Sequence, residues 1–123
     1  MNIVDSSGWL EYFANGKNAE IFAPIIIDIE KLIVPTIILY EVFKKVLQQR
    51  DETQALKAIA IMQQGSIVEL TNSIAINAAK LSLEHKLPMA DSIILTTARE
   101  CDAVLWTQDD DFREIEGVKY IKK

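Results

Sequence analysis

The sequence predicts an α/β fold, a three-layer arrangement with a central, mainly parallel five-stranded sheet flanked by helices. Three observations carry this expectation. Five short apolar runs alternate with helical stretches along the chain. No repeat, low-complexity tract or Pro/Gly/Ser-rich linker divides the 123 residues, so one domain, 1–123, is expected. Half of the residues are hydrophobic and 25% are charged, a balance that builds a core without disulfide staples.

The elements follow in order. Residues 2–4 form a short apolar strand. Helical patterns occupy 7–14 and 18–29, and Pro24 in the second predicts a kink or break. Residues 32–34 are the second strand. The helix over 36–49 is the strongest, with Ile38, Leu39, Val42, Phe43, Val46 and Leu47 recurring on one face. Residues 53–64 are helical until Gly65 stops them. Residues 67–70 form the third strand, and Thr71 or Asn72 caps a helix running to about His85. Pro88 opens a helix to about Glu100. Strands over 104–106 and 118–121 complete the sheet.

Composition bounds the function. A net charge of −5 argues against holding nucleic acid by bulk electrostatics. It does not exclude an enzyme acting on nucleic acid, because two divalent cations on four carboxylates would bring the balance to −5 + 4 = −1. The single cysteine, Cys101, allows no internal disulfide and fits a reducing compartment. The start, MNIVDSSGW, lacks a basic n-region, and no apolar run reaches membrane-span length. A cytoplasmic protein with no membrane association is expected.

In parallel α/β sheets, sites form at the carboxyl ends of strands. Acids occupy that edge here. Asp5 ends IVD, and taken singly it is a helix N-cap. Glu41 lies about one and a half turns into the helix after the second strand, outside its apolar arc, with Lys45 placed for an i,i+4 pair. Asp91 sits early in its helix on the flank of the stripe Ala90, Ile94, Thr97 and Cys101, where a carboxylate needs a partner. Asp109, Asp110 and Asp111 follow the fourth strand, and Phe112 behind them reads as core. Each acid alone has an ordinary explanation. Together they would repel by roughly 3 kcal/mol per pair at 5 Å. Helix N-termini offset part of that; hard divalent cations offset far more, and an oxygen-only ligand set suits Mg²⁺ or Mn²⁺.

The pieces IVDSSGWLEYF, VPTIILYEV, ADSIILTTARECDAVLWTQDDDF and a final VKYI strand resemble, in order and spacing, the PIN-domain ribonucleases, specifically the toxin component of VapBC-type toxin–antitoxin pairs. The resemblance implies that Asp5, Glu41, Asp91 and Asp109 form a catalytic acidic quartet. Asp5, Asp91 and Asp109 would be direct metal ligands; Glu41 would bind a second ion or orient water. Asp111 matches a second Asp that sometimes helps bind metal, and Ser6 and Thr107 match positions with a hydroxyl near the site. It further implies one or two Mg²⁺ or Mn²⁺ ions, an RNA substrate, a homodimer and a VapB-type antitoxin whose C-terminal segment covers the acidic groove. The expected reaction is hydrolysis of an RNA phosphodiester by water, leaving 5′-phosphate and 3′-hydroxyl ends.

Lys44, Lys45 and Arg50 could guide RNA phosphates or form a solvated helix face. His85, the only histidine, sits at a helix C-terminus, where dipole stabilisation explains it, so a histidine acid–base ribonuclease is poorly supported. Cys101 lies on an apolar stripe with no base nearby. Trp9, Tyr12 and Phe13 read as core or dimer surface, and Tyr40 and Phe43 could join a dimer interface. Two alternatives stay open: a non-catalytic PIN-like module that binds a partner, and a Mg-dependent phosphoryl-transfer domain. The second lacks the paired acids expected after the first strand of a receiver, and an aspartyl phosphatase expects Asp at position 7, which is Ser.

Overall fold

In the computed structural model, which describes residues 1–123, the five strands form one sheet in the order β3-β2-β1-β4-β5. These are β1 (Asn2–Val4), β2 (Leu32–Pro35), β3 (Ser66–Val68), β4 (Val104–Thr107) and β5 (Val118–Tyr120). Every pairing is parallel, so the sheet is wholly and not merely mainly parallel. Ile3 lies opposite Ile33 on one side and Leu105 on the other. Covering a parallel sheet on both faces demands strands that are apolar throughout. Ile3, Val4, Val34 and Leu105 accordingly have no exposed surface.

The helices are α1 (Ser6–Phe13), α2 (Ala19–Ile27), α3 (Thr36–Gln49), α4 (Glu52–Met62), α5 (Asn72–His85) and α6 (Met89–Glu100). The third runs over the predicted residues end to end, with Ile38 and Val42 buried. Pro24 does not break α2: the ring forfeits the N–H that would reach the Glu20 carbonyl, and Glu20 is exposed, so that carbonyl can be solvated. The helix ends at Ile27, two residues early, and a 3-10 turn (Ile29–Lys31) leads into β2. Helix α4 begins one residue before the expected start because Asp51 caps it, accepting from the Gln54 amide at 2.8 Å. Of the two candidate caps for α5, Thr71 performs the role, accepting from the Ile74 amide at 3.1 Å. Pro88 stands at the N-cap position of α6, one residue outside the helix. No helix is long and apolar enough to cross a membrane.

Helix α6 is the buried helix of the molecule: every residue from Asp91 to Ala98 is buried. Thr96 and Thr97 satisfy their hydroxyls on the carbonyls of Ser92 and Ile93, both at 2.8 Å, which lets polar side chains pass through the core. Helix α1 lies tight against α2. A Cβ added at Gly8 would stand 2.6 Å from Val4 Cγ1 and 2.8 Å from Phe22 Cε1, and both neighbours are fully buried. Gly8→Ala is therefore expected to cost about 1–3 kcal/mol through overpacking, read as a lower denaturation midpoint at unchanged m-value.

Candidate metal centre

The carboxyl ends of β1 and β4 bring the first acids together. Asp5 continues the β1 ladder, its amide donating to the Trp106 carbonyl at 2.9 Å. It occupies the N-cap position of α1, but its side chain makes no capping bond. The Oδ2 atom instead accepts from the Ser7 hydroxyl and from the Thr107 hydroxyl, each at 2.8 Å. The Oδ1 atom is buried without a partner. Burial pushes the Asp5 carboxyl up from its ordinary value, against the two hydroxyl bonds, and Asp109 adds repulsion.

Thr107, the last residue of β4, is fully buried and ties two acids together. While its hydroxyl proton goes to Asp5, its oxygen accepts from the Asp109 amide at 3.0 Å. Asp109 in turn caps a 3-10 turn (Asp110–Phe112), its Oδ1 accepting from the Asp111 amide at 2.9 Å. Phe112 drops into the core with no exposed surface and anchors this acidic loop. Its burial agrees with the sequence reading.

Asp91, in the first turn of α6, is only 8% exposed. Its carboxyl is pushed up to about 8, first by burial and then by Asp5, Asp109 and Asp111. One ligand oxygen each from Asp91, Asp109 and Asp111 lies within 4.8 Å of the others. Asp5 and Glu41 stand outside that trio but feel it electrostatically. Glu41 is half-buried on α3 and raised by desolvation, Asp5 and Asp109, and its Oε1 is buried without a partner. The anticipated Glu41–Lys45 pair does not form, whereas Arg113 and Asp110 pair at 3.9 Å.

Two neighbouring serines divide their work differently from the expectation. Ser6 offsets the raised pKa of Glu41 through its side chain and reaches Asp5 only through its backbone. Ser7, which sequence reasoning passed over, is the hydroxyl that holds Asp5. The Asp-x-Ser spacing is a signal that could have found it, since short polar side chains commonly bond two residues apart. Asp110 turns away from the trio to accept from the Tyr120 hydroxyl and to face Arg113. Lys44 and Lys45 are exposed on α3, with the Lys44 ammonium 5.6 Å from the centre of the Tyr40 ring. Arg50 lies nine residues past Glu41, about 13 Å along the helix, and lines a groove with Leu10, Phe13, Val46, Lys57 and Ile61 instead of bordering the acids.

The donor set is made of oxygen alone, holds buried orphan oxygens on Asp5 and Glu41, and carries mutual repulsion that nothing cationic within the chain relieves. It fits a hard divalent cation.

The PIN-domain family profile matches residues 3–118. The chain belongs to the PIN-domain family. Solved structures agree on the fold of this PIN domain. A toxin–antitoxin complex from Klebsiella pneumoniae superposes with a TM-score of 0.83 at 22% identity over the full length of both chains. VapC20 of Mycobacterium tuberculosis, a toxin that cleaves the sarcin–ricin loop, gives 0.78 at 14% identity, covering 100% of this chain and 98% of its own. A DNA-bound VapBC from Salmonella typhimurium gives 0.74 at 14% identity, covering 99% and 98%. No individually curated protein matches the sequence.

Within this PIN domain, Thr107→Val keeps the side-chain shape but removes the donor to Asp5 and the acceptor for the Asp109 amide. The expected loss is about 1–3 kcal/mol in denaturation, the cost of leaving a buried polar group unpaired.

Proposed function

We propose that this PIN domain is a VapC-type toxin, a metal-dependent endoribonuclease that hydrolyses RNA phosphodiester bonds and is held inactive by a VapB-type antitoxin. The observation that carries the reading is the carboxylate cluster at one edge of the sheet, with Asp91 raised to about 8 and unpartnered oxygens on Asp5 and Glu41. Mg²⁺ or Mn²⁺, as one ion or two, would supply Lewis-acid polarisation of the phosphate and neutralise its developing charge. Asp5, Asp91 and Asp109 would hold the ion, with Asp111 beside them. The free Oε1 of Glu41 could orient the attacking water or accept its proton, and the burial that raises its pKa makes it a stronger proton acceptor than an exposed carboxylate. Ser7 and Thr107 fix the Asp5 carboxylate, so little reorganisation is needed as the reaction proceeds.

Exposed Tyr40, Ile76 and Leu83, at 60%, 62% and 85%, support burial in a homodimer. The proposed RNA substrate and the lone cysteine support a cytoplasmic location. The purified protein, free of antitoxin, is expected to cleave RNA in Mg²⁺ or Mn²⁺, to leave 5′-phosphate ends and to stop in EDTA. Asp5→Ala should remove the activity. Absence of cleavage across total cellular RNA in either metal would end the enzyme reading.

A further inference from the structure

A second buried polar chain runs behind the acids and involves residues with no role so far. Asn18, just before α2, is 5% exposed, and Gln108, between Thr107 and Asp109, is 7% exposed. The Asn18 Nδ2 donates to Gln108 Oε1 at 3.0 Å and to the Lys122 carbonyl at 3.2 Å. The Gln108 backbone N–H donates to Ser7 Oγ at 3.2 Å, the Gln108 Nε2 donates to the Ser7 carbonyl at 3.5 Å, and the Ser7 hydroxyl donates to Asp5 Oδ2. Asn18 is itself held from below: its amide donates to Glu11 Oε2 at 2.8 Å. The tail is held from the other side, the Ile121 amide donating to the Thr107 carbonyl at 2.8 Å. One continuous chain of hydrogen bonds therefore links the α1–α2 turn, the segment after β5, the loop carrying Asp109 and Asp111, and the carboxylate of Asp5.

The energetics favour a positioning role over simple stabilisation. Two neutral amides meeting in a buried site contribute little net energy, about 1 kcal/mol, but leaving either unpaired costs more. What such a pair does well is select one geometry, because alternatives strand a polar group. The acidic loop needs that selection. Two of its three consecutive aspartates, Asp109 and Asp111, face Asp91, and repulsion of the kind that lifts the Asp91 carboxyl also pushes the loop outward. Phe112 pins the far end of the loop in the core. At the near end, the Asn18–Gln108 pair ties the loop to the residue that precedes α2, beside the longer Gln108 Nε2 bond to the Ser7 carbonyl.

We infer that Asn18 and Gln108 are positioning residues, a latch that holds Asp109 and Asp111 at ligand distance from Asp91 and, through Ser7, orients Asp5. The inference rests on the metal-centre reading above. It says that metal affinity in this chain depends on two uncharged residues outside the acid cluster. It also makes the segment around Lys122 part of the support for the site.

The test uses the full chain and three variants, Asn18→Ala, Gln108→Ala and the double, each first checked for folding by circular dichroism. One readout is amide hydrogen exchange of Gln108 and Asp109 in EDTA. The other is Mn²⁺ affinity, followed by the paramagnetic resonance of free Mn²⁺. Each single variant is expected to speed exchange at Gln108 and Asp109 about tenfold relative to Leu105 and Ile94, and to weaken Mn²⁺ binding about five- to tenfold. The double should fall well short of the product of the two singles, because the bond between the two side chains is lost in each single variant already. A merely structural role would speed exchange at Leu105 and Ile94 as much as in the loop and leave Mn²⁺ affinity unchanged. Unchanged loop exchange, Mn²⁺ affinity within twofold of the parent, or effects that multiply in the double each overturn the latch. If the parent binds no Mn²⁺ while the loop exchange responds as expected, the latch stands and the metal reading falls.

Discussion

Asp91→Asn is expected to lower RNA cleavage by about a hundredfold or more while making the metal-free protein more stable at pH 8. The loss of activity follows from removing a central carboxylate of the cluster, since metal stabilisation of the transition state is worth several kcal/mol and about 1.4 kcal/mol is tenfold in rate. The gain in stability comes from the same atom. Asp91 is 8% exposed, faces Asp5, Asp109 and Asp111, and is raised to about 8. An amide of the same shape carries none of that repulsion. The melting temperature in EDTA at pH 8 should rise by about 5–10 °C, and the gain should vanish near pH 4, where the parent carboxyl is itself protonated. Opposite movement of activity and stability is the mark of a site that sacrifices folding energy to chemistry. A variant that melts below the parent in EDTA at pH 8, or cleaves as well as the parent, contradicts this.

Without metal, the parent should lose stability as the pH rises from about 4 to 8. Asp5, Glu41 and Asp91 all have carboxyls raised in the folded state. Between the ordinary carboxylate value and the raised one, the folded chain keeps protons that the unfolded chain has released. Raising the pH then favours unfolding. The contribution is fully present below about pH 4 and is lost on passing through the folded values, which for Asp91 means about 8. At about 1.4 kcal/mol per pH unit for one group, the decline reaches several kcal/mol over that window. Millimolar Mg²⁺ or Mn²⁺ should reverse most of it, because the cation binds the ionised folded state and not the unfolded chain. Thermal melts at pH 5, 6.5 and 8, with EDTA and with each metal, measure both effects. A flat profile in EDTA, or a metal response that does not grow with pH, would refute the linkage.

What could be read beforehand divides along physical lines. Helix α3 was legible to the residue because its period is set by its own apolar face, with Ile38 and Val42 turned inward. Strand β3 starts one residue and ends two residues before the expected bounds because it is an edge: Ser66 and Ile67 are exposed, so no alternation marks its limits. Glu41 shows the limit of periodicity most directly. The helical wheel places it outside the apolar arc of α3, yet its Oε1 is buried. That burial is tertiary and cannot be seen from α3 alone. The acids themselves could be named from their places after strands and from family resemblance. Their second line of support could not: which serine serves which acid depends on side-chain directions at the start of α1, and the Asn18–Gln108 contact joins residues 90 apart in sequence.

The two hydroxyls on Asp5 have one more consequence. With Oδ2 committed to Ser7 and Thr107, only Oδ1 remains to meet a cation. As a metal ligand, Asp5 would therefore bind through one oxygen and would not clamp an ion with both. Small octahedral ions are satisfied by such single-point carboxylates, whereas calcium, with its longer bonds and six to eight ligands, draws on two-point ones. A pair of neutral hydroxyl groups would thus set how Asp5 meets a cation held at this centre, and with it a preference for the size of the ion, without either group touching the metal.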